Sequence, residues 1–292
     1  MSESSDEATG TLRVGVGEGP LRTEHQKLLR NGLRRGNKDP ETAIRSGSLE
    51  GTYHDATLKI AKRSWLERMR FEHMSAAVFS RLLPQLIEAG ATVDVKTGVL
   101  RMSMDELRHS ALCGDVVELL GGEPVIETRL TTAPLPEHSD CTPAERALRN
   151  VMFVGCMSET IAVSQLSEEF ELASEPSIRA VIDQLMTDEV WHAKLGWSYL
   201  AEVWPTLDRD QRARTEAYLP RAFSYLEEHM VGPTRDVLFQ DDLTDELNAL
   251  GISAPQDSRD LFYDTVTAVT IPRLSEFGMN ASNAWNKRGR GN

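Results

Sequence analysis

Cysteine is scarce in this chain, and long apolar runs are missing. The 292 residues include three cysteines, Cys113, Cys141 and Cys156, and they form no Cys-x-x-Cys pair. This count disfavours a disulfide framework and any iron or zinc domain held by four cysteines. No apolar stretch reaches the roughly 18 residues that a membrane-spanning helix needs. The sequence therefore predicts a globular protein of a reducing compartment, which we expect to be the cytoplasm.

Positive charge is also in short supply. The chain has 45 acidic and 32 basic residues, and its formal net charge is −13. Such a surface repels phosphate backbones and anionic lipids, so we expect neither a nucleic acid nor a membrane as a partner. The first residues, MSESSDEATGTLRVG, lack the apolar segment of a signal peptide, which again predicts the cytoplasm.

Strand patterns are lacking, whereas apolar residues recur at steps of three and four after residue 57. This period predicts an all-α fold. The predicted helices cover about 57–90, 97–120, 142–173, 176–204, 208–230 and 258–283. Gly90 and Gly121 are placed to end the first two helices. Pro84 is expected to bend or locally break the first helix.

Composition divides the chain into three predicted parts. Residues 1–56 are rich in serine, glycine and charge, and we predict a polar N-terminal extension that is partly disordered. Residues 57–204 carry four helices in two hairpins, with a long crossover between helices 2 and 3 that contains three prolines. This is one of the ways in which a four-helix bundle is connected. Residues 205–292 are predicted to form a helical extension that packs on the bundle.

The pattern Asp-Glu-x-x-His occurs twice, as DELRH and as DEVWH. Residues three apart share one face of a helix, so Glu106 points the same way as His109, and Glu189 the same way as His192. A buried glutamate and histidine need a charged partner or a metal ion. Carboxylate and imidazole are common ligands of divalent transition metals. Each copy is therefore expected to offer ligands to one metal centre.

Two further glutamates mirror the motif copies. Residues equidistant from the turn of an antiparallel helical hairpin lie side by side. Glu72 mirrors the first copy about Gly90, and Glu159 mirrors the second copy about the break at 174–175. The predicted metal site consists of Glu72, Glu106, His109, Glu159, Glu189 and His192. Four carboxylates neutralise two divalent cations, so the set predicts a dinuclear centre, with coincidental charges on a solvated helix face as the alternative.

The order Glu, Glu-x-x-His, Glu, Glu-x-x-His resembles the ferritin-like di-iron (or di-manganese) carboxylate superfamily, over roughly residues 57–204. DELRH is similar to the Asp-Glu-x-Arg-His element of its oxygen-activating members, which include multicomponent monooxygenases and acyl-carrier-protein desaturases. The resemblance implies that Asp105 and Asp188 orient ligand histidines and that Arg108 joins their network. The second copy departs from the pattern, with Trp191 in the place of the arginine.

The resemblance also implies a function. We expect a non-haem di-iron oxygenase or oxidase that activates dioxygen and oxidises a small organic substrate by hydroxylation, desaturation or N-oxygenation. The expected cofactor is a pair of iron ions, although manganese pairs and mixed pairs accept nearly the same ligands. No flavin, nicotinamide or iron–sulfur motif is visible, so a separate reductase or ferredoxin should supply electrons. The long helices with their flanking segments suggest a homodimer.

Other functions of the superfamily stay open at this point. One is iron handling by a ferroxidase, and another is peroxide detoxification of the di-manganese catalase kind. Storage ferritins are short chains, whereas this one adds about 50 residues before the bundle and nearly 90 after it. N-oxygenases of p-aminobenzoate carry an extra histidine where this chain has Leu185. Small residues near the ligands leave room for a substrate or pack against a neighbouring helix. They are Ala76, Gly155, Ala162 and Ala193.

Overall fold

The computed structural model describes residues 9–13, 44, 47–129, 132, 134–232 and 241–289, and helix dominates these ranges. The α-helices, in chain order, are α1 Asp55–Glu88, α2 Val93–Leu119, α3 Pro143–Val151, α4 Glu159–Leu172, α5 Pro176–Val203, α6 Arg209–Val231, α7 Thr244–Ala249, α8 Pro255–Thr265, α9 Ile271–Glu276 and α10 Ala281–Lys287. The prediction of an all-α protein is confirmed. Among the described helices, none is long and apolar enough to cross a bilayer.

Glycines end the first two helices as predicted. The N–H of Gly90 bonds to Ile87 O and the N–H of Ala91 bonds to Leu86 O, which is a Schellman motif. Gly90 has a φ of 66° and Gly121 a φ of 76°, a left-handed conformation that glycine adopts without steric cost. These two glycines therefore fix where α1 and α2 stop.

Three helix boundaries differ from the prediction. The expected break at Pro84 is not seen, since α1 continues through it, and the buried Leu82 and Leu86 on either side hold the helix in place. The helix α2 begins at Val93, four residues before the predicted start at 97. The predicted helix over 258–283 is divided into α8, a π-helical segment Val266–Thr270, α9 and part of α10.

A two-stranded antiparallel ribbon is present where the sequence suggested no strand. It joins β1, Thr9–Arg13, to β2, Val125–Arg129, with Leu12 opposite Ile126. The prediction that the chain contains no strand is wrong here. Each strand has only five residues, which are too few for a two-residue period to be recognised. Most of the predicted N-terminal extension, 1–56, including its expected disorder, lies outside the described residues.

Two apolar clusters lie at different heights along the long helices. The first contains Phe79, Met102, Ile161 and Leu200, together with Leu219, Phe223, Phe262 and Trp285 from the helices after residue 205. The second contains Met69, Leu112, Leu166 and Leu185, together with Leu247 of α7. α1 packs against α2 and α3, and α5 packs against α2 and α4. Between the two clusters, these helices carry a layer of buried ionisable side chains.

Candidate metal centre

All six predicted metal ligands meet in this polar layer. One group consists of Glu72, Glu106, His109 and Glu189, and the other consists of Glu106, Glu159, Glu189 and His192. Within each group, one nitrogen or oxygen atom per residue lies within 4.8 Å of all the others. Glu106 and Glu189 belong to both groups, so the six side chains form one continuous cluster. Carboxylates and imidazoles in this arrangement could hold metal ions.

The two motif copies are not independent sites. His109 Nδ1 lies 3.2 Å from Glu189 Oε1, which belongs to the other copy, and 3.5 Å from Glu72 Oε2. His192 Nδ1 lies 2.8 Å from Glu189 of its own copy and 3.4 Å from Glu106 of the other. The ligand atoms of the two copies therefore lie side by side in one cluster.

Both histidines turn the same nitrogen toward the carboxylates. His109 is fully buried, and among the described residues its Nδ1 has no hydrogen-bond partner, although Glu72 and Glu189 lie in front of it. Its Nε2 lies 3.1 Å from Asp188 Oδ2. When Nε2 carries the proton and donates it to Asp188, the lone pair of Nδ1 faces the cluster, as a metal ligand must. An unpartnered buried nitrogen is costly unless a ligand occupies the space.

Asp105 and Asp188 lie behind the histidines, where the resemblance places them. His192 Nε2 is 3.4 Å from Asp105 Oδ2, which mirrors the contact of His109 with Asp188. Arg108 joins the two carboxylates, since its Nη2 donates to Asp105 Oδ1 at 3.2 Å and also to Asp188 Oδ2. One guanidinium therefore connects the carboxylates behind both histidines.

Two residues of this network were missed by the sequence analysis. Arg101 Nε donates to Asp105 Oδ2 at 3.2 Å, and Gln184 Nε2 donates to Asp188 Oδ2 at 2.8 Å. Each stands four residues before its aspartate, so the helical spacing of four was the signal that could have found them. The Arg101 guanidinium also lies over the Trp191 ring, 4.7 Å from its centroid. The second motif copy has Trp191 where the first has an arginine. Trp191 packs against Arg101 of α2, which bonds to Asp105.

The buried glutamates lie close together, and this shifts their pKa values. Burial and the charge of Glu189 raise the pKa of Glu106 well above its usual value, and the same causes raise the pKa of Glu159. Burial also acts to raise the pKa of Glu189, but His192 and hydrogen bonds from its neighbours lower it well below the usual value. The free cluster therefore holds protons that a cation would displace.

The pKa values of the two histidines are raised and that of Asp188 is lowered, which favours the charged forms of all three side chains. Burial lowers the pKa of His109, but contacts with Asp188, Glu189 and Glu72 outweigh burial and raise it well above the usual value. His192 shows the same balance, with Glu189 and Asp105 as its main partners. Burial disfavours the Asp188 carboxylate, yet His109 and Arg108 bring its pKa down to about 2. Asp188 is therefore ionised at neutral pH.

Glu159 is placed by an irregular helical segment. Residues Met152–Ser158 form a π-helical stretch that ends immediately before Glu159, whose N–H bonds to Val154 O, five residues earlier. Such insertions occur frequently at functional sites, because they rotate the following side chains about the axis. The predicted helix over 142–173 is thus interrupted at its centre. No sequence pattern marks this interruption.

A cleft of about 1970 Å³ leads to the cluster between α1 and α4. All four glutamates of the cluster reach its wall, namely Glu72, Glu106, Glu159 and Glu189. Of the small residues near the ligands, Ala162 lines this cleft. Gly155 instead packs on Gly196, since a Cβ at Gly196 would lie 2.4 Å from the carbonyl carbon and oxygen of Gly155. Close helix packing therefore explains this glycine.

The chain matches no protein-family model and no curated protein at a significant level. The assignment of a candidate metal site therefore depends on the geometry of the six side chains alone. Its ligand types suit divalent metal ions, its four carboxylates balance the charge of two such ions, and the unpartnered Nδ1 of His109 points among them.

Proposed function

We propose that this protein is a ferritin-like di-iron oxygenase or oxidase that acts on a small organic substrate. The observation that carries the proposal is the membership of Glu106 and Glu189 in both groups of potential ligands. A carboxylate that is shared in this way can bridge two ions. Paired metals bridged by carboxylates on facing helices are typical of ferritin-like di-iron and di-manganese proteins.

The connectivity of the helices supports the proposal of a ferritin-like fold. We take α1 and α2 as one helical hairpin, and the run α3–α4 with α5 as the other. α1 packs on α2, α4 packs on α5, and α2 packs on α5. Residues 120–142 connect the hairpins and correspond to the long crossover that one class of four-helix bundles has.

Each side chain of the cluster has a role in this proposal. Glu72 and His109 would hold one ion, Glu159 and His192 would hold the other, and both shared glutamates would contact the two. Two ferrous ions bound here would supply the electrons with which dioxygen is reduced.

The residues around the ligands give the site its rigidity. Asp105 and Asp188 lie where each can accept a hydrogen bond from Nε2 of a histidine, and in that tautomer the lone pair of each Nδ1 would be directed to a metal ion. The apolar clusters above and below the layer leave the cleft as its route to solvent.

The cleft favours oxidation of an organic substrate over the other functions of the superfamily. Its volume, about 1970 Å³, is more than enough to admit an organic molecule of the size that small-molecule sites of roughly 300–1,000 Å³ hold. Ferrous ions, peroxide and dioxygen are small enough to enter through a narrow channel, so iron handling or peroxide removal would not require this space. A separate reductase or ferredoxin, a homodimer and a cytoplasmic location stay predictions.

Elemental analysis of protein produced with iron and manganese available tests the metal site, and about two metal ions per chain are expected. Ferrous protein should then take up dioxygen at a stoichiometry set by its own two irons. Continued oxidation of excess ferrous iron in a multi-subunit particle would favour the ferroxidase. Rapid oxygen release from hydrogen peroxide by the manganese form would favour the catalase. Absence of metal after anaerobic reconstitution would refute the proposal.

A further inference from the structure

Two serines of α2 donate hydrogen bonds to the backbone of α1. Ser103 Oγ donates to Ala76 O at 2.8 Å, and Ser110 Oγ donates to Met69 O at 2.9 Å. The serines stand seven residues apart in the chain, and so do their two acceptors. Seven residues make about two turns of helix, or roughly 10.5 Å, so both bonds lie on one face of each helix. They form two matching links between the helices.

The two links lie on either side of the proposed metal layer. On α1, Glu72 stands three residues after one acceptor and four residues before the other. On α2, Glu106 and His109 both stand between the two serines. At 1.5 Å per residue, each link is about 4–6 Å from Glu72 along the helix axis. The backbone of α1 is therefore bonded to α2 immediately above and immediately below this glutamate.

Several other helical serines of this protein bond within their own helix. A serine hydroxyl in a helix commonly bonds to a carbonyl three or four residues earlier, and Ser80, Ser164 and Ser198 all do so. Ser103 and Ser110 instead reach the neighbouring helix, although Ser110 is fully buried and has carbonyls of its own helix close by. These interhelical bonds occur at the level of the candidate ligands, which indicates a role connected with the site.

Facing carboxylates tend to open the layer that the links enclose. Glu72 of α1 shares a group of potential ligands with Glu106 of α2 and Glu189 of α5. Like charges without a counterion repel each other, most strongly in a buried site. The hydroxyl bonds oppose this repulsion, because each of them joins the backbone of α1 directly to α2. In this arrangement, Glu72 Oε2 lies 3.5 Å from His109 Nδ1.

We propose that Ser103 and Ser110 are positioning residues, which hold Glu72 at the distance from His109 that binding of a metal ion requires. The groups of a binding site must be held within about 0.5 Å of their productive positions. Neither serine is a proposed ligand, and both act through the backbone of α1. The inference rests on the proposed function, because it concerns the ion that Glu72 and His109 would share. The competing explanation is general stabilisation of the helical hairpin.

The variant Ser103→Ala/Ser110→Ala removes both links. Each acceptor carbonyl stays within the continuous helix α1, which supplies an N–H donor four residues further on, so no buried acceptor is left without a partner. The full-length, chelator-treated protein is titrated anaerobically with ferrous iron in competition with a chromophoric chelator. We expect one ion to bind about tenfold more weakly, the lower end of the effect of losing a residue that supports a ligand, and the other to bind as in wild type.

Ser164→Ala is the matched control, because it removes a half-buried helical hydroxyl that bonds within α4. It should bind both ions as wild type does. Two ions bound with wild-type affinity by the folded double variant would overturn the proposal, and so would equal weakening by the control. Circular dichroism confirms that the variants are helical.

A second background separates positioning from general stabilisation. If the serines act through Glu72, their removal from Glu72→Ala protein should leave the affinity for its remaining ion unchanged. Further weakening in that background would mean a general loosening of the bundle and would refute positioning. Ser103→Thr keeps the hydroxyl and should bind both ions as wild type does, whereas Ser103→Ala should weaken one. This pair decides the matter if the double variant does not fold, and equal affinities of the two would contradict the proposal.

The wild-type metal content distinguishes failure of this inference from failure of the proposed function. Two ions in the wild type, with the same affinities in the serine variants, would remove the positioning role and leave the di-iron function. Absence of metal from the wild type after anaerobic reconstitution would remove the proposed function and this inference with it.

Discussion

His109 Nε2 lies 3.1 Å from Asp188 Oδ2, so a histidine of the first motif copy is held by the aspartate of the second. The reciprocal contact, His192 Nε2 to Asp105 Oδ2, measures 3.4 Å. Each copy therefore contains a candidate ligand and the residue that orients the ligand of the other copy. Neither copy forms a complete site alone, which explains why the chain carries the pattern twice.

Asp188→Asn should weaken metal binding by about 10–100-fold, the usual effect of losing a residue that orients a ligand histidine. The neutral amide is a weaker acceptor for the Nε2 proton of His109 than the carboxylate, so the tautomer with a free lone pair on Nδ1 is less favoured. Asp183→Asn removes the same charge from an exposed position on α5 and serves as the control. Competition with a chromophoric chelator measures the affinity. Equal affinities of the two variants would show that Asp188 does not orient His109.

Glu106→Ala and Glu72→Ala should differ in metal content. Glu106 belongs to both groups of ligands, whereas Glu72 belongs to one. We expect Glu106→Ala to lose most of the roughly two metal ions per chain, and Glu72→Ala to keep about one. Elemental analysis gives the counts, and circular dichroism confirms that both variants are helical. The same partial loss in both variants would contradict shared ligation by Glu106.

Metal binding should release protons and should weaken as the pH falls. Glu106 and Glu159 have raised pKa values in the free cluster, and so do His109 and His192, so these ligand atoms keep their protons to a higher pH than isolated side chains would. A divalent ion must displace them. Calorimetry in two buffers of different ionisation enthalpy counts the released protons. A binding enthalpy that is independent of the buffer would be inconsistent with this expectation.

Gly196→Ala should lower the free energy of unfolding by about 1–3 kcal/mol, the usual cost of overpacking. The added Cβ would lie 2.4 Å from the backbone carbonyl of Gly155, so α5 and the π-helical segment must separate. Gly232→Ala is the matched control, because a Cβ there meets no atom of the described residues within 4 Å. Urea denaturation of both variants measures the difference. A Gly196 variant as stable as wild type would show that the contact is not tight.

Much of the candidate site could be predicted because it depends on spacing along helices. Glu106 and His109 share a face through helical geometry alone, and Gly90 fixes the turn about which Glu72 mirrors them. Arg101 and Gln184 were missed although they obey the same spacing, because polar residues one turn from an aspartate are common on any helix. The ribbon of β1 and β2 was missed since its partners lie more than a hundred residues apart.

By itself, the sequence determined the helical class, the residues at which the first two helices stop and the identity of the six clustered side chains. These features follow from local periods, from the left-handed conformation of glycine and from mirror symmetry about a hairpin turn. Only the tertiary structure decided that Glu106 and Glu189 belong to both groups and that each aspartate holds the other copy's histidine. Those contacts join helices that are distant in the chain, so their distances depend on how the helices pack.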